Sequence, residues 1–407
     1  MTVRVSKPAF NLREKLSELD IPVGNHGTQL MKSADAEESF DLVQAGRKNK
    51  IINGAMLIDQ RHQTASHTNS NGYHTDRFRT QVAGMDQLVQ TYQQVSEAPP
   101  GFSKSLKITT TSAESAIASS AEYITLYQKI EGQNLQDFAY GTTSAKTITV
   151  SFYVKSSITG QFGYTIYRNE STDRAINKFY TINNANTWER KTITVEGDTG
   201  AAIGNDNSDN WWNCWHLAAS PGYMSAETAV WANYSSGTNW AGFHKQNGVV
   251  TTLNATWQIT GVQMEIGENA TEFEHLSYAE DLALCQRYYW KPFPGNNSTS
   301  YDQVMIAMKV ADTDGGRAAS TFFPVVMRAA PSVVFEDRAG DYGGTTGSSR
   351  VTCQHHSGTY AHGVTWSWAT TPWGCDGPYH YPYGISGFTK GDVGNFQCNK
   401  LEFIAEL

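Results

Sequence analysis

Three groups of residues in this chain have types and spacings that could do chemistry. The first is a set of carboxylates, Glu265, Glu272 and Glu274, at the end of TWQITGVQMEIGENATEFEH. A glycosidase works with a pair of carboxyl groups flanking the scissile bond. Carboxylates at a strand end often just face water, so this spacing assigns no catalytic residue. The second group is CQHHSGTYAH, which gathers Cys353, His355, His356 and His362, with Cys375 and His380 beyond. The ligand types suit zinc, but the spacing fits no standard zinc pattern. Ordinary hydrogen bonding by loop histidines accounts for it, although one histidine per chain on a threefold axis could form a ring of three ligands. No metal and no cofactor is expected. The chain has no G-x-S-x-G elbow, and its glycine-rich runs lack the lysine and Ser/Thr of a P-loop. It reads as a non-enzyme.

The third group is aromatic. Sugar rings present apolar C–H faces, and Trp and Tyr offer flat matching surfaces that lose little entropy on binding. TPWGCDGPYHYPYG contains Pro and Gly without alternation and reads as a loop. It makes Trp373, Tyr379, His380, Tyr381 and Tyr383 the first candidates for sugar contact, with Asp376 as a polar partner. Trp211, Trp212, Trp215 and Trp240 are a second set, for which core packing is the competing account. VTWSW reads as a strand with Trp366 and Trp368 on one face, which burial would claim.

The elements that must position these residues are mostly strands. The chain has 407 residues, 12% of them aromatic and 17% charged, with 35 glycines. That length predicts two or three units, and that balance suits an all-β protein with long polar connections. A net charge of −8 argues against a broad surface for nucleic acid or anionic membrane. No apolar run approaches the ~20 residues of a membrane span, and MTVRVSKPAFNLREKL has no signal-peptide core. Five cysteines without a repeating spacing read as free thiols of a reducing cytosol.

From 105 to 266, SLKITTT, EYITLYQKI, KTITVSFYVKSS, FGYTIYR, WERKTITVEG, TAVWANY and TWQITGVQMEI read as strands between Gly, Asn, Asp and Ser clusters. No helical pattern long enough for a βαβ crossover separates them, so a jelly-roll β-sandwich is expected over 49–275. RKNKIINGAMLIDQR reads as its first strand. In SYAEDLALCQRYYW, Ser277 and Glu280 form a capping box, and a linking helix with Ala279, Leu282, Ala283 and Gln286 along one side is expected within 276–291. QVMIAMKV, STFFPVVM, PSVVFED, SSRVTCQ and KLEFIAEL then predict a C-terminal β-sandwich over 292–407. Residues 1–48 differ. Leu12, Leu16 and Leu19 recur at helical spacing, Phe40 and Val43 form a second stripe, and two short helices cannot make a core alone. Their faces are expected to dock on another protein.

Several of these segments resemble a known group. VRVSKPAFNLREKLSEL through KNKIINGAMLIDQR is similar to the start of tail-fibre-like proteins of marine and related tailed bacteriophages. YHTDRF, TITVSFYVKSSITGQFGYTIYR, TWERKTITVEGDTG and WQITGVQMEIGENATEFEH resemble the carbohydrate-binding-type jelly roll of such proteins. SYAEDLALCQRYYW matches the segment that follows it, and FFPVVMRAAPSVVF with EFIAEL resembles the phage C-terminal sandwich. The resemblance implies a homotrimer of the virion tail, assembled in the host cytoplasm. It would be fixed to phage tail or adaptor proteins through residues 1–48, with its distal domain touching host surface polysaccharide. A head fibre or adaptor without receptor binding is the alternative. NDNSDNWWNCWHL through NWAGFHKQNG and the loops of 339–387 match nothing in that group, and specificity is expected there.

Overall fold

The computed structural model describes residues 47–68, 70–117, 122–234, 241–242, 248–292, 304–312, 315–318, 323–336, 350–355, 360–369, 379–383, 393–398 and 400–407. The chain divides into two units, Met1–Lys48 and Asn49–Leu407. Leu12, Leu16, Leu19, Phe40 and Val43 lie outside the described residues.

The second unit is all-β apart from short helices. Its first strands are β1 (Tyr73–Thr75), β2 (Phe78–Ala83), β3 (Val89–Val95), β4 (Ser105–Ser112), β5 (Tyr123–Ile130), β6 (Ile148–Ser156), β7 (Gly160–Arg168), β8 (Arg174–Ile182), β9 (Glu189–Val195) and β10 (Trp211–Ala219). Three two-residue strands follow, β11 (Met224–Ser225), β12 (Ala232–Asn233) and β13 (Ala241–Gly242), and then the long β14 (Thr256–Ile266). A seven-stranded sheet has the order β1-β2-β5-β10-β7-β8-β12, and a five-stranded sheet the order β3-β4-β14-β6-β9. The β5–β10–β7 and β4–β14–β6 neighbours are antiparallel and come from distant parts of the chain. Such crossed connections are those of a jelly roll.

Alternation explains what lies between the sheets. In β6, Ile148, Val150, Phe152 and Val154 point to one side and are fully buried. They meet Leu126, Tyr164, Ile166, Trp211, Trp215 and Trp257 in one continuous core. Phe152 lies edge-on to Trp215 with ring centroids 5.9 Å apart, and Tyr164 sits 5.4 Å from the same indole. Edge-to-face pairs of this kind add to simple area burial.

Residues 47–61 are not a strand. Asn53 and Met56 have φ of 58° and 56°, which no strand tolerates. Side-chain amides stand in for a ladder. Asn49 Oδ1 accepts from the backbone N–H of Ile51 and Met264, and Gln128 both donates to and accepts from the backbone of Ile52. Asn53 does the same for Ile58. Apolar residues in this run are therefore buried without pairing into a sheet.

A column of rings closes the sandwich edge between β1 and β3. His62, His67, His74 and Tyr92 stack in order, with centroid separations of 3.5, 5.1 and 3.7 Å. Thr80 Oγ1 donates to the Ser70 carbonyl, so it accepts from His74 Nε2. His74 Nδ1 must then accept from His67 Nε2, 2.9 Å away. The chain of bonds calls for neutral imidazoles. Burial accordingly pushes His67 down to about 4 and His74 well below the ordinary range, and each neighbouring imidazole adds to the effect.

The capped helix forms as expected. This helix, α1, runs Tyr278–Gln286, with Ser277 and Glu280 in a reciprocal capping box. Its buried side is Asp281 and Cys285, continued by Tyr288, rather than Ala279, Leu282, Ala283 and Gln286. Cys285 and Tyr288 pack on Ile52 and Ile58, and Asp281 turns inward because the Asn53 N–H needs an acceptor.

After α1 come β15 (Tyr289–Trp290), β16 (Val304–Asp312), β17 (Gly315–Ala318), β18 (Ser332–Glu336), β19 (Arg350–His355), β20 (Tyr360–Ala369), β21 (Tyr379–Tyr383), β22 (Val393–Cys398) and β23 (Lys400–Ile404). β15, β23 and β18 make a small sheet, and β16-β17-β21-β20-β19-β22 close into a barrel. Six strands of the C-terminal β body thus close into a ring in which each has a neighbour on both sides, beside the small open sheet. The chain then returns to the first body. Arg61 and Arg77 both hold the Glu406 carboxylate, and their guanidinium groups lie 3.7 Å from the Tyr289 ring centroid and 3.5 Å from that of Tyr288.

Candidate functional site

β5 alternates cleanly. Ile124, Leu126 and Ile130 enter the core, so Tyr123, Thr125, Tyr127 and Lys129 are carried to the outer face of the seven-stranded sheet. β10 does the same, with Trp211 and Trp215 inward and Trp212, Cys214 and His216 outward. Strand register lines these outer residues into rows. Lys129 faces Trp212, which faces Tyr167, and Arg79 faces Tyr127, which faces Cys214.

The result is a second aromatic cluster outside the main core, in which Tyr127 and Tyr167 are buried and Tyr123, Trp212, Tyr223 and Tyr234 are half-buried. Tyr127 and Trp212 stack at 5.2 Å and 21°, and Tyr167 meets Trp212 edge-on at 5.5 Å. Tyr234 lies 4.9 Å from Tyr167, and Tyr223 lies 5.2 Å from Tyr123. Charged groups border it. Lys129 Nζ sits 3.8 Å from the Trp212 ring centroid and 2.7 Å from Asp209 Oδ2, while Trp212 Nε1 donates to the Asp209 carbonyl. Burial lowers the Lys129 ammonium and Asp209 opposes that shift. Burial pushes the Tyr127 hydroxyl up to about 12, against the pull of Arg79. Neutral rings with ordered charged neighbours suit a ligand that is apolar on its faces and polar at its edges.

The middle of this face is a closed polar chain. His216 Nδ1 lies 2.5 Å from Thr125 Oγ1 and Nε2 lies 2.9 Å from Thr165 Oγ1, which donates to Asn177 Oδ1. Burial holds His216 down at about 3, so it is a neutral crosslink between strands and not a proton carrier. Thr228 bonds the backbone of Asn177, and β13 runs against β7, β8 and β10. Thr228, Tyr234 and β13 therefore lie over the β7–β8 side. The corner formed by β2, β5 and the start of β10 is the other side.

The structure sorts the sequence-based candidates. Trp212 lies on this surface and is half-buried. Trp211 and Trp215 are 0% exposed, so their ring faces are taken up by the core. Trp240, Trp373 and Asp376 lie outside the described residues. Tyr379, His380, Tyr381 and Tyr383 belong to strand β21 and not to a loop, since the run pairs with β20, Trp368 opposite His380 and Ser367 opposite Tyr381. Tyr123, Tyr127, Lys129, Arg79, Tyr167, Tyr223 and Tyr234 are additions. The alternation in YITLYQKI was the signal for the first three of them.

Glu265 and Glu274 are engaged by neighbouring protein groups. Glu265 accepts from Gln263 and from both the N–H and hydroxyl of Thr271, and Glu274 accepts from the Asn49 N–H. Among the described residues no group of three His, Cys, Asp or Glu side chains is placed to hold a metal. No helix among them is long and apolar enough to cross a membrane.

No family model matches the chain, and no curated protein matches it. Among solved structures it is similar to the enzymatically active domain of tailspike protein 4 of bacteriophage CBA120, at 11% identity and a TM-score of 0.29 over 54% of this chain. The match spans only 21% of that protein's length. It is similar to a putative sugar binding protein from Bacteroides thetaiotaomicron, at 11% identity and a TM-score of 0.30, over 54% of this chain and 100% of that one. A family 11 carbohydrate-binding module from Clostridium thermocellum, solved with a β-1,3-1,4-mixed-linked tetrasaccharide, matches at 10% identity and a TM-score of 0.26, over 52% and 98% of the two chains. These neighbours are jelly rolls of the carbohydrate-binding-module kind, one of them in a phage tailspike. Likenesses at these scores carry no argument about what this chain binds.

Proposed function

We propose that this protein is a glycan-binding component of a bacteriophage tail fibre. The observation that carries the binding half of this reading is the Tyr127–Trp212–Tyr167 row. It stands apart from the main core, with the half-buried Trp212 between the buried Tyr127 and Tyr167, and it is bordered by Lys129, Asp209 and Arg79. Aromatic faces with a few ordered polar groups are what a polyhydroxylated ring requires. The virion half is supported by the resemblance of the N-terminal, jelly-roll and helix segments to tail-fibre-like proteins.

In this reading the protein binds sugar without cleaving it and acts as a homotrimer. Residues 1–48 attach to tail or adaptor proteins, and the virion assembles in the host cytoplasm. The residues of 373–383 are a further, distal contact for host polysaccharide. Weak single sites suffice, because several copies engaging together gain about 10²- to 10⁴-fold in avidity.

A glycan array probed with the full-length protein and its Trp212→Ala variant tests this. Binding by the parent and its loss in the variant is expected. Absence of any glycan binding, with stable capture by phage structural proteins alone, would instead make the chain a purely structural virion component.

A further inference from the structure

We propose that the sugar taken at the β2–β5–β10 corner is an anionic one, a uronate or sulfated glycan. Its acid group would sit between Arg79 and Lys129 and its ring over Trp212. This rests on the glycan-binding reading above and narrows it to a ligand class.

The register sets the corner. Arg79 lies directly opposite Tyr127, and Lys129 directly opposite Trp212, on adjacent rungs of neighbouring strands. Both cations therefore emerge on the outer face beside the stacked pair of rings. Tyr127 is only 3% exposed, and the Lys129 ammonium stands over Trp212. Tyr127 and Lys129 both lie against the Trp212 ring, so a ligand stacking there displaces the ammonium. The two cations are also close enough to repel, since Arg79 adds to the lowering of the Lys129 ammonium that burial begins. An anion between them removes that repulsion.

Arg79, like Arg190 and Arg328, reaches carbonyl oxygens and, among the described residues, no carboxylate, unlike five other arginines. Arg61, Arg77, Arg168, Arg174 and Arg287 each hold a carboxylate. Among the described residues no carboxylate pairs with Arg79. Its guanidinium reaches the Asn71 carbonyl at 3.4 Å, lies 5.8 Å from the Tyr73 ring centroid and stands beside the Tyr127 hydroxyl. All three neighbours are neutral. A guanidinium presents a fork that matches a carboxylate or sulfate with two parallel bonds. The nearby anions are already engaged. Asp209 takes Lys129 and Asn169, and Asp173 takes the Tyr167 hydroxyl. A neutral sugar that moved Lys129 off the Trp212 face would offer only hydroxyl hydrogen bonds in place of the Asp209 ion pair. An acidic sugar offers Lys129 a second anion as it moves. The cationic corner also stands out in a chain whose net charge is −8.

The test uses the full-length protein and saccharides paired by charge: oligogalacturonates against their methyl esters, and sulfated against unsulfated galactans, on an array that also carries mixed neutral glycans. The proposal expects at least one anionic glycan to be bound roughly tenfold more tightly than its neutral partner, with affinity falling as NaCl rises from about 50 to about 500 mM. Arg79→Gln and Lys129→Gln should each weaken that binding about tenfold, and Arg79→Lys should keep part of it. Unchanged thermal unfolding of the variants would show that folding is intact. Binding of neutral glycans alone, dependent on Trp212 and indifferent to Arg79→Gln, overturns the anionic ligand and leaves the glycan-binding reading standing. No binding to any sugar overturns both.

Discussion

Lys129 lies over the indole of Trp212, its Nζ 3.8 Å from the ring centroid, while the same ammonium bonds Asp209 at 2.7 Å. The contact joins β5 to β10 across one rung of the sheet, on the side away from the core. It places an ordered cation, an ordered anion and an aromatic face within one small patch. That combination separates Trp212 from its neighbours Trp211 and Trp215, which share its chemistry but not its side of the strand.

The first prediction follows from that separation. Trp212→Ala should weaken glycan binding about tenfold or more, since central aromatic anchors carry most of an interface's binding energy. Its thermal unfolding should fall, because the indole also packs on Tyr127 and Tyr167 and bonds Asp209, while the variant should remain folded at the assay temperature. Glycan titration and a melting curve on the same preparation check both halves.

Trp215→Ala should act chiefly on stability. The indole is fully buried between Phe152, Tyr164 and Phe78, and truncating a buried Trp costs about 3–5 kcal/mol. Urea unfolding should show this loss directly. A midpoint equal to the parent's would contradict the placement of Trp215 in the core.

The C-terminal return should be essential to the fold. Arg77 is 2% exposed, contacts Glu406 and donates to the Lys129 carbonyl at 2.7 Å. Arg77→Met leaves a largely buried carboxylate with one cation fewer, and breaking a buried pair from one side costs roughly 3–5 kcal/mol. Removing residues 406–407 should destabilise the jelly roll as well. Denaturant titration of both variants checks the link.

Stability should fall between about pH 6.5 and pH 4. His67, pushed down to about 4, and His216, at about 3, are neutral in the fold, and His74 is lowered too. The unfolded chain takes up these protons near pH 6.5, so their contribution is complete above that pH and is lost as pH drops toward the folded values. Asp76, raised by burial to about 6, acts in the opposite sense, with one proton against three. Urea midpoints at pH 7.5 and pH 5 should therefore differ, the lower at pH 5. Equal midpoints would contradict neutral histidines in the ring column.

Much of the fold was legible from alternation. The strands in SLKITTT, EYITLYQKI, TITVSFYV and TWQITGVQMEI stand where the period of two placed them, and Ser277 caps α1 as its box predicts. What stayed hidden was hidden for physical reasons. RAINKFYTI and WWNCWHLAA became β8 and β10, strands with polar residues that pair with one another on a covered face, so neither showed apolar alternation. The run around Asn49 and Asn53 looked like a strand because it is apolar, but amide side chains supply its hydrogen bonds. Trp212 could be singled out by residue type. Its distinction from Trp211 and Trp215 needed the register of β10, and Tyr127 and Lys129 emerged only once β5 was set beside it.

The most direct test of the central claim is the glycan array with the full-length parent protein and Trp212→Ala side by side, both verified as folded. Saturable binding to at least one glycan by the parent and a loss of about tenfold or more in the variant are expected. Full binding by Trp212→Ala, or a folded parent that binds no glycan, would contradict it.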